Sequence, residues 1–287
     1  MSSAGQSNCR SIVGWSNSWA KLHEELGVGT RVGKTLHLSE RDREVLENAF
    51  EREMGADLRT LDMQQDRIGM AGDVRNEKLS GQPALGSLQR VAMPGGSVVV
   101  KGDDGAAVRV PTPSGTVLSV ETARLALDPE VCRRVMIIEN GAVINRWWDL
   151  LALLPAEWRH ETLFCYRGHD QTQGALNAWI KALPEDVHLG YCGDYDAGGL
   201  SIAVNTYLPL VGSERLWLLL PGPNVAVPAC ANKPGAFLTQ KHVLQSLERE
   251  RRASEWRKLL ERLLEQQLAV TQEAIVAYGI PLSAFRT

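Results

Sequence analysis

From about residue 131 onward, continuous apolar runs alternate with amphipathic segments. Arg134-Val135-Met136-Ile137-Ile138-Glu139 is an apolar run closing in an acid, and Ile144 to Leu154 reads as a helix stopped by Pro155. Thr162–Tyr166 is a second strand, Thr172 to Leu183 a helix stopped by Pro184, and Val187–Cys192 a third strand. Gly199 to Leu208 is again helical, and Leu216–Leu220 is a fourth strand ended by Pro221-Gly222-Pro223. Short apolar strands alternating with helices predict an α/β fold with a four-stranded parallel sheet between helices, because crossover helices cover both faces of such a sheet. A long C-terminal helix is expected from Thr239 to Tyr278. Trp256, Leu259, Leu260, Leu263, Leu264 and Leu268 form its apolar stripe, and the charge run from Glu248 to Arg252 its solvated face.

The pattern before residue 131 is different. Ser39-Glu40-Arg41-Asp42 resembles a capping box, Val45, Leu46, Ala49 and Phe50 follow at helical spacing, and Gly55 is a stop. Residues 1–20 and 56–81 are polar and carry no strong pattern. Val98–Val100, Val108–Val110 and Val117–Val120 are β-like runs separated by turn signals, which predict a small antiparallel sheet or hairpin pair. Asp128-Pro129 marks the expected boundary. Residues 1–130 then form a smaller α+β N-terminal region, and residues 131–287 the α/β domain with its C-terminal helix.

Composition narrows the classes. The 287 residues are 44% hydrophobic and 23% charged, as in globular proteins, and they suffice for one large domain or two ordinary ones. A formal net charge of −3 argues against a stand-alone electrostatic nucleic-acid binder, and leaves room for a local basic surface or a partner. The five cysteines (Cys9, Cys132, Cys165, Cys192 and Cys230) show no CxxC spacing, so neither a disulfide framework nor a zinc site is expected. Cys132, Cys165 and Cys192 sit in or beside apolar runs, as small core residues do. With no membrane-length apolar stretch and no secretory h-region, a cytoplasmic protein is expected. Gly33-Lys34-Thr35 is no P-loop, since the required upstream glycine falls on Val28, and the histidines lack HExxH spacing.

The candidate chemistry lies where strands end in acids. Ligands of open parallel sheets bind beyond the carboxyl ends of strands. The first strand ends at Glu139, and the third runs into Gly193-Asp194-Tyr195-Asp196-Ala197-Gly198-Gly199. Parallel strands would bring these carboxylates to one edge, where they repel unless a cation lies among them. Oxygen ligands suit Mg²⁺ or Mn²⁺, and such a cluster suits phosphoryl transfer. Read alone, Asp194 and Asp196 are better explained as turn residues and Glu139 as an ordinary strand-end acid; the order of strand-Glu, helix, strand, helix, strand-DxD, helix is what favours the metal site. Arg167-Gly168-His169-Asp170 follows the second strand, so Arg167 could hold a phosphate and His169 shuttle a proton. Lys233 follows the fourth strand on the same side. Arg75, Asn76 and Lys78 are candidates for contact with a DNA backbone, against the alternative of a solvated loop.

Met136-Ile137-Ile138-Glu139-Asn140 together with Gly193-Asp194-Tyr195-Asp196-Ala197-Gly198-Gly199-Leu200 resembles the signature of Toprim domains. These occur in topoisomerases, primases and OLD- and RecR-like proteins. The wording of the second motif most resembles JetD (MksG), the nuclease subunit of Wadjet SMC-type anti-plasmid systems, itself similar to the topoisomerase VI A subunit. The resemblance covers residues 133–222. It implies that Glu139 ligates metal or transfers protons, and that Asp194 and Asp196 bind Mg²⁺ or Mn²⁺. It further implies DNA and SMC-like subunits as partners, in bacterial defence, with a homodimer also to be considered. Topoisomerase VI relatives place a tyrosine nucleophile upstream of Toprim. The tyrosines here are Tyr166, Tyr191, Tyr195, Tyr207 and Tyr278, all within or after the motif region. Hydrolysis by an activated water is therefore expected, giving a metal-dependent DNA endonuclease. The alternatives are a non-catalytic Toprim-fold DNA- or partner-binding module, and a topoisomerase- or primase-like enzyme.

Overall fold

A computed structural model describes residues 9–81, 87–168, 170–248 and 254–287 of the chain. The chain divides into two compact units, Met1–Ala84 and Leu85–Thr287. The boundary expected near residue 130 thus lies at residue 84. Strand pairing gives the reason, because the β-rich stretch after residue 87 is bonded into the main sheet.

The first unit contains β1 (Cys9–Gly14), α1 (Asn17–Leu26), β2 (Thr30–Val32), β3 (Thr35–Ser39), α2 (Glu40–Met54) and α3 (Arg67–Asp73). Its antiparallel sheet has the order β1-β3-β2. The capping box is present: Ser39 Oγ accepts from the Asp42 N–H, the Asp42 carboxylate accepts from the Ser39 N–H, and Gly55 caps the C-terminus of α2. Gly33-Lys34-Thr35 lies at the β2–β3 hairpin, where Thr35 Oγ1 donates to the Val32 carbonyl. The patternless first twenty residues supply β1 and much of α1.

The second unit opens with β4 (Leu88–Ala92), β5 (Ser97–Lys101), β6 (Ala107–Pro111), β7 (Leu118–Glu121) and β8 (Leu125–Ala126). It continues with β9 (Arg134–Ile138), α4 (Gly141–Ile144), α5 (Trp147–Leu151), β10 (Thr162–Tyr166), α6 (Asp170–Lys181) and β11 (His188–Cys192). Next come α7 (Ala197–Ile202), a π-helical turn (Ala203–Tyr207), α8 (Leu208–Val211), β12 (Leu216–Pro221) and α9 (Pro234–Thr239). α10 (Lys241–Glu248), α11 (Ser254–Glu265), α12 (Gln272–Ala277) and β13 (Leu282–Arg286) complete it. A seven-stranded sheet runs β13-β12-β11-β9-β10-β4-β7. Within it β12, β11, β9 and β10 are mutually parallel, and β13, β4 and β7 add antiparallel strands at the flanks. β6-β5-β8 form a separate antiparallel sheet, so only part of the predicted hairpin region stands apart.

Burial explains why these runs become central strands. Val135 to Ile138 of β9, Leu163 to Cys165 of β10 and Leu218 to Leu220 of β12 are all buried in unbroken succession. Successive residues of a strand point to opposite faces, so both faces of the sheet are covered. Cys132, Cys165 and Cys192 are buried free thiols, as their apolar surroundings suggested, and burial pushes the Cys192 thiol up to about 12.

Two helices differ from expectation. The helix expected over residues 144–154 is broken into α4 and α5 at Arg146, where the backbone leaves the helical region. The break seats Trp147 edge-on to Phe164, 6.2 Å between centroids, with its Nε1 donating to the Thr116 carbonyl. The single C-terminal helix is likewise not formed. α11 ends at Glu265, Gln267 takes a positive φ of 48°, and Val270 pairs with Tyr195 before α12 begins. Two backbone hydrogen bonds to Tyr195 replace the helical ones there, at 2.8 and 3.2 Å. The charge run over 249–252 lies outside the described residues.

Candidate functional site

The chain leaves β9, forms β10 on one side of it, and returns to form β11 on the other. The carboxyl ends of β9 and β11 therefore flank a topological switch point, where the crossovers to opposite sides open a crevice. Glu139 follows β9, and its N–H donates to the Cys192 carbonyl of β11 at 3.1 Å. Glu139 Oε2 accepts from the Tyr191 hydroxyl at 2.5 Å and from the Asp194 N–H at 3.2 Å. Residues 55 positions apart are thus in direct contact.

The two aspartates are held from the C-terminal segment. Asp194 Oδ1 accepts from the Gln272 N–H at 2.7 Å. Asp196 caps α7, its Oδ1 accepting from the Gly199 N–H and its Oδ2 from Gln240 Nε2, each at 2.8 Å. A carboxylate there also meets the positive end of the helix dipole. Two glycines make the turn feasible. A Cβ at Gly193 would strike the Glu139 carboxylate and the Tyr191 ring, and one at Gly199 would strike the Asp194 carbonyl.

Burial and like charge set the electrostatics. The Asp194 carboxyl is pushed up to about 6, chiefly by burial. The Gln272 N–H works against this, and the charges of Glu139, Asp196 and Glu273 add to it. Burial and the adjacent Glu139 raise the Tyr191 hydroxyl well above its ordinary range.

Sequence reasoning missed Gln240, Gln272 and Glu273. Gln272 is fully buried and joins the ends of β9 and β11. Its N–H serves Asp194, its Nε2 donates to the Cys192 carbonyl at 2.7 Å, and its Oε1 accepts from the Asn140 N–H at 2.9 Å. Asn140 Nδ2 in turn donates to Glu273 at 2.6 Å. Thr271 before Gln272-Glu273 is a legible N-cap signal, and Thr271 Oγ1 does cap α12. No local signal brings it to Asp194, 78 positions away.

The basic candidates fall into two groups. Arg167 follows β10, and its N–H donates to the Ile138 carbonyl at 2.8 Å, beside Glu139. Lys233 is exposed, and its N–H donates to the Ala269 carbonyl, next to the Val270–Tyr195 bridge. Both therefore stand near the acid-bearing edge. His169 lies outside the described residues. Arg75, Asn76 and Lys78 belong to the first unit and have local duties there. Arg75 donates to the Arg52 carbonyl at the end of α2, and Asn76 Oδ1 accepts from the Lys78 N–H.

The donor chemistry suits a hard cation, being all carboxylate oxygen. The arrangement does not close one shell. Glu139 and Asp194 adjoin, whereas Asp196 is turned to α7 and Gln240. Among the described residues no three His, Cys, Asp or Glu side chains converge to hold a metal ion.

Fold and site together define a mixed α/β protein with paired acids at the switch point of a partly parallel sheet. The chain belongs to the DUF7281 family, described as a domain of unknown function, whose model matches residues 86–284. No curated protein matches it. No helix among the described residues is long and apolar enough to cross a membrane.

Proposed function

We propose that the protein is a Toprim-type, Mg²⁺- or Mn²⁺-dependent DNA endonuclease of the JetD-like kind, a cytoplasmic subunit working with SMC-like partners in anti-plasmid or anti-phage defence. The observation that carries the reading is the meeting of Glu139 with Asp194 at the switch point. There burial and neighbouring carboxylates hold Asp194 up to about 6. Carboxylates crowded in this way gain most from a cation. When bound, Mg²⁺ or Mn²⁺ polarises a phosphate and lowers the pKa of water. In this reading Glu139 and Asp194 hold the ion, and Asp196 joins them by exchanging its Gln240 contact. Tyr191 orients the Glu139 carboxylate.

Hydrolysis is favoured over a tyrosine-linked intermediate in that Tyr191, Tyr195 and Tyr207 are fully buried, which leaves only the half-buried Tyr166 and the exposed Tyr278 as accessible hydroxyls. That argues against the topoisomerase-like alternative, and a primase-like one would be detected by ribonucleotide polymerisation. The non-catalytic module remains the second reading, favoured by the engagement of Asp196 as a helix cap. The test is Mn²⁺ titration by electron paramagnetic resonance, with nicking of plasmid DNA by the wild type, E139Q and D194N. Stoichiometric Mn²⁺ binding and nicking, both lost in D194N, are expected. DNA binding indifferent to Mn²⁺, with no cleavage, would establish the module.

A further inference from the structure

Arg167 is a partly shielded cation at this edge. Its side chain is half-buried, its Nε is shielded from solvent, and among the described residues its guanidinium has no hydrogen-bond or ion-pair partner. The neighbouring Glu139 forms no ion pair with it among the described residues, its Oε2 accepting instead from the Tyr191 hydroxyl and the Asp194 N–H. A shielded guanidinium N–H without an acceptor is costly, and a fold that keeps one has a use for it.

Position restricts that use. The Arg167 N–H donates to the Ile138 carbonyl, so Arg167 starts one residue from Glu139 across adjacent parallel strands. Below the edge lie Tyr191 and Tyr207, with ring centroids 5.4 Å apart. The positive charge of Arg167 lowers both tyrosines, and the negative charge of Glu139 raises both, so the two charges bracket the same aromatic pair. Tyr207 closes the π-helical turn, and its own buried hydroxyl has no hydrogen-bond partner among the described residues. π-Helical turns in α-helices recur at functional sites.

We infer that Arg167 is a substrate-contact residue that receives the anionic oxygens of a nucleic-acid phosphodiester beside the acid cluster. A planar guanidinium matches a phosphate in geometry and charge. The inference rests on reading this edge as a phosphodiester site.

Phenylglyoxal, which reacts with arginine, tests it on the intact wild-type chain, with reaction at Arg167 followed by peptide mass spectrometry. The arms contain a short DNA duplex, a mononucleotide or inorganic phosphate, each with and without Mn²⁺. Protection of Arg167 by the duplex, several-fold beyond that from the other two, is expected. Equal protection by the mononucleotide overturns the polynucleotide assignment, and an unchanged rate in every arm overturns the site. R167Q should weaken duplex binding about tenfold or more, the factor of one charge-assisted hydrogen bond, with R167K partly restoring it. Mn²⁺ binding by R167Q should match the wild type. Mn²⁺ binding without protection of Arg167 sinks this inference alone. Protection without Mn²⁺ binding sinks the metal reading and leaves Arg167 standing.

Discussion

Asp194 is a residue kept at a cost to the fold. Its carboxyl sits at about 6, against 3.8 for the free group, so the folded chain holds the proton more tightly than the unfolded one. Between those two values stability falls as pH rises, and above the upper one the loss is complete. D194N keeps the acceptor for the Gln272 N–H and removes the charge. It should stabilise the fold near neutral pH by on the order of 1 kcal/mol after allowance for solvent, seen as a raised melting temperature, with the difference vanishing below about pH 4. An unchanged or lowered melting temperature at neutral pH would show that the charge is not penalised. Arg262 is the opposite case. It is nearly buried, donates to the carbonyls of Pro221, Gly222 and Val225, and lies 5.7 Å from the Tyr195 ring. R262M strands those carbonyls and should cost roughly 2–4 kcal/mol in urea denaturation. A loss under about 0.5 kcal/mol would mean that water replaces the guanidinium.

The elements show which features are local. The capping box of α2 and the four parallel strands were legible because each depends on side chains a few positions apart, or on an uninterrupted apolar run. The break after Glu265 was not legible. The apolar stripe runs on through Leu268, and only pairing with Tyr195 pulls the backbone out of helix. The segment so placed carries Gln272 into the strand ends. Q272A should therefore destabilise the second unit by about 2 kcal/mol, because the Asn140 N–H loses its acceptor while the Cys192 carbonyl keeps the Glu139 N–H. The main-chain N–H of residue 272 still serves Asp194, so any weakening of Mn²⁺ binding in Q272A would pass through the loosened strand ends at Asn140 and Cys192. L263A, a core truncation without contact to the acids, serves as the comparison, and equal Mn²⁺ affinity in the two variants would assign Gln272 a purely structural role. G199A should fail to form the turn at all, since its Cβ would meet the Asp194 carbonyl.

At the scale of the molecule, the division after Ala84 and the family match from residue 86 point to the same unit. Residues 85–287, expressed alone, should melt cooperatively and keep whatever Mn²⁺ binding the full chain has. Aggregation or a broad, non-cooperative melt would show that the first 84 residues complete the fold. The boundary near residue 130 was read from a change of texture at Asp128-Pro129. Texture cannot reveal that β4 pairs with β10, which is a long-range hydrogen-bond choice. The acid pair was legible for a related reason in reverse. Once strands are parallel, their carboxyl ends must share an edge, and Glu139 and Asp194 do meet.

The sequence by itself determined the central apolar strands and the acids that follow them, but not the antiparallel strands at the flanks, because apolar runs and strand-end residues act through neighbours along the chain. Tertiary structure alone decided the rest. It turned Asp196 toward Gln240, set Gln272 against Asp194 and left the Arg167 Nε without a hydrogen-bond partner among the described residues, since each outcome depends on groups brought together from positions far apart in the chain.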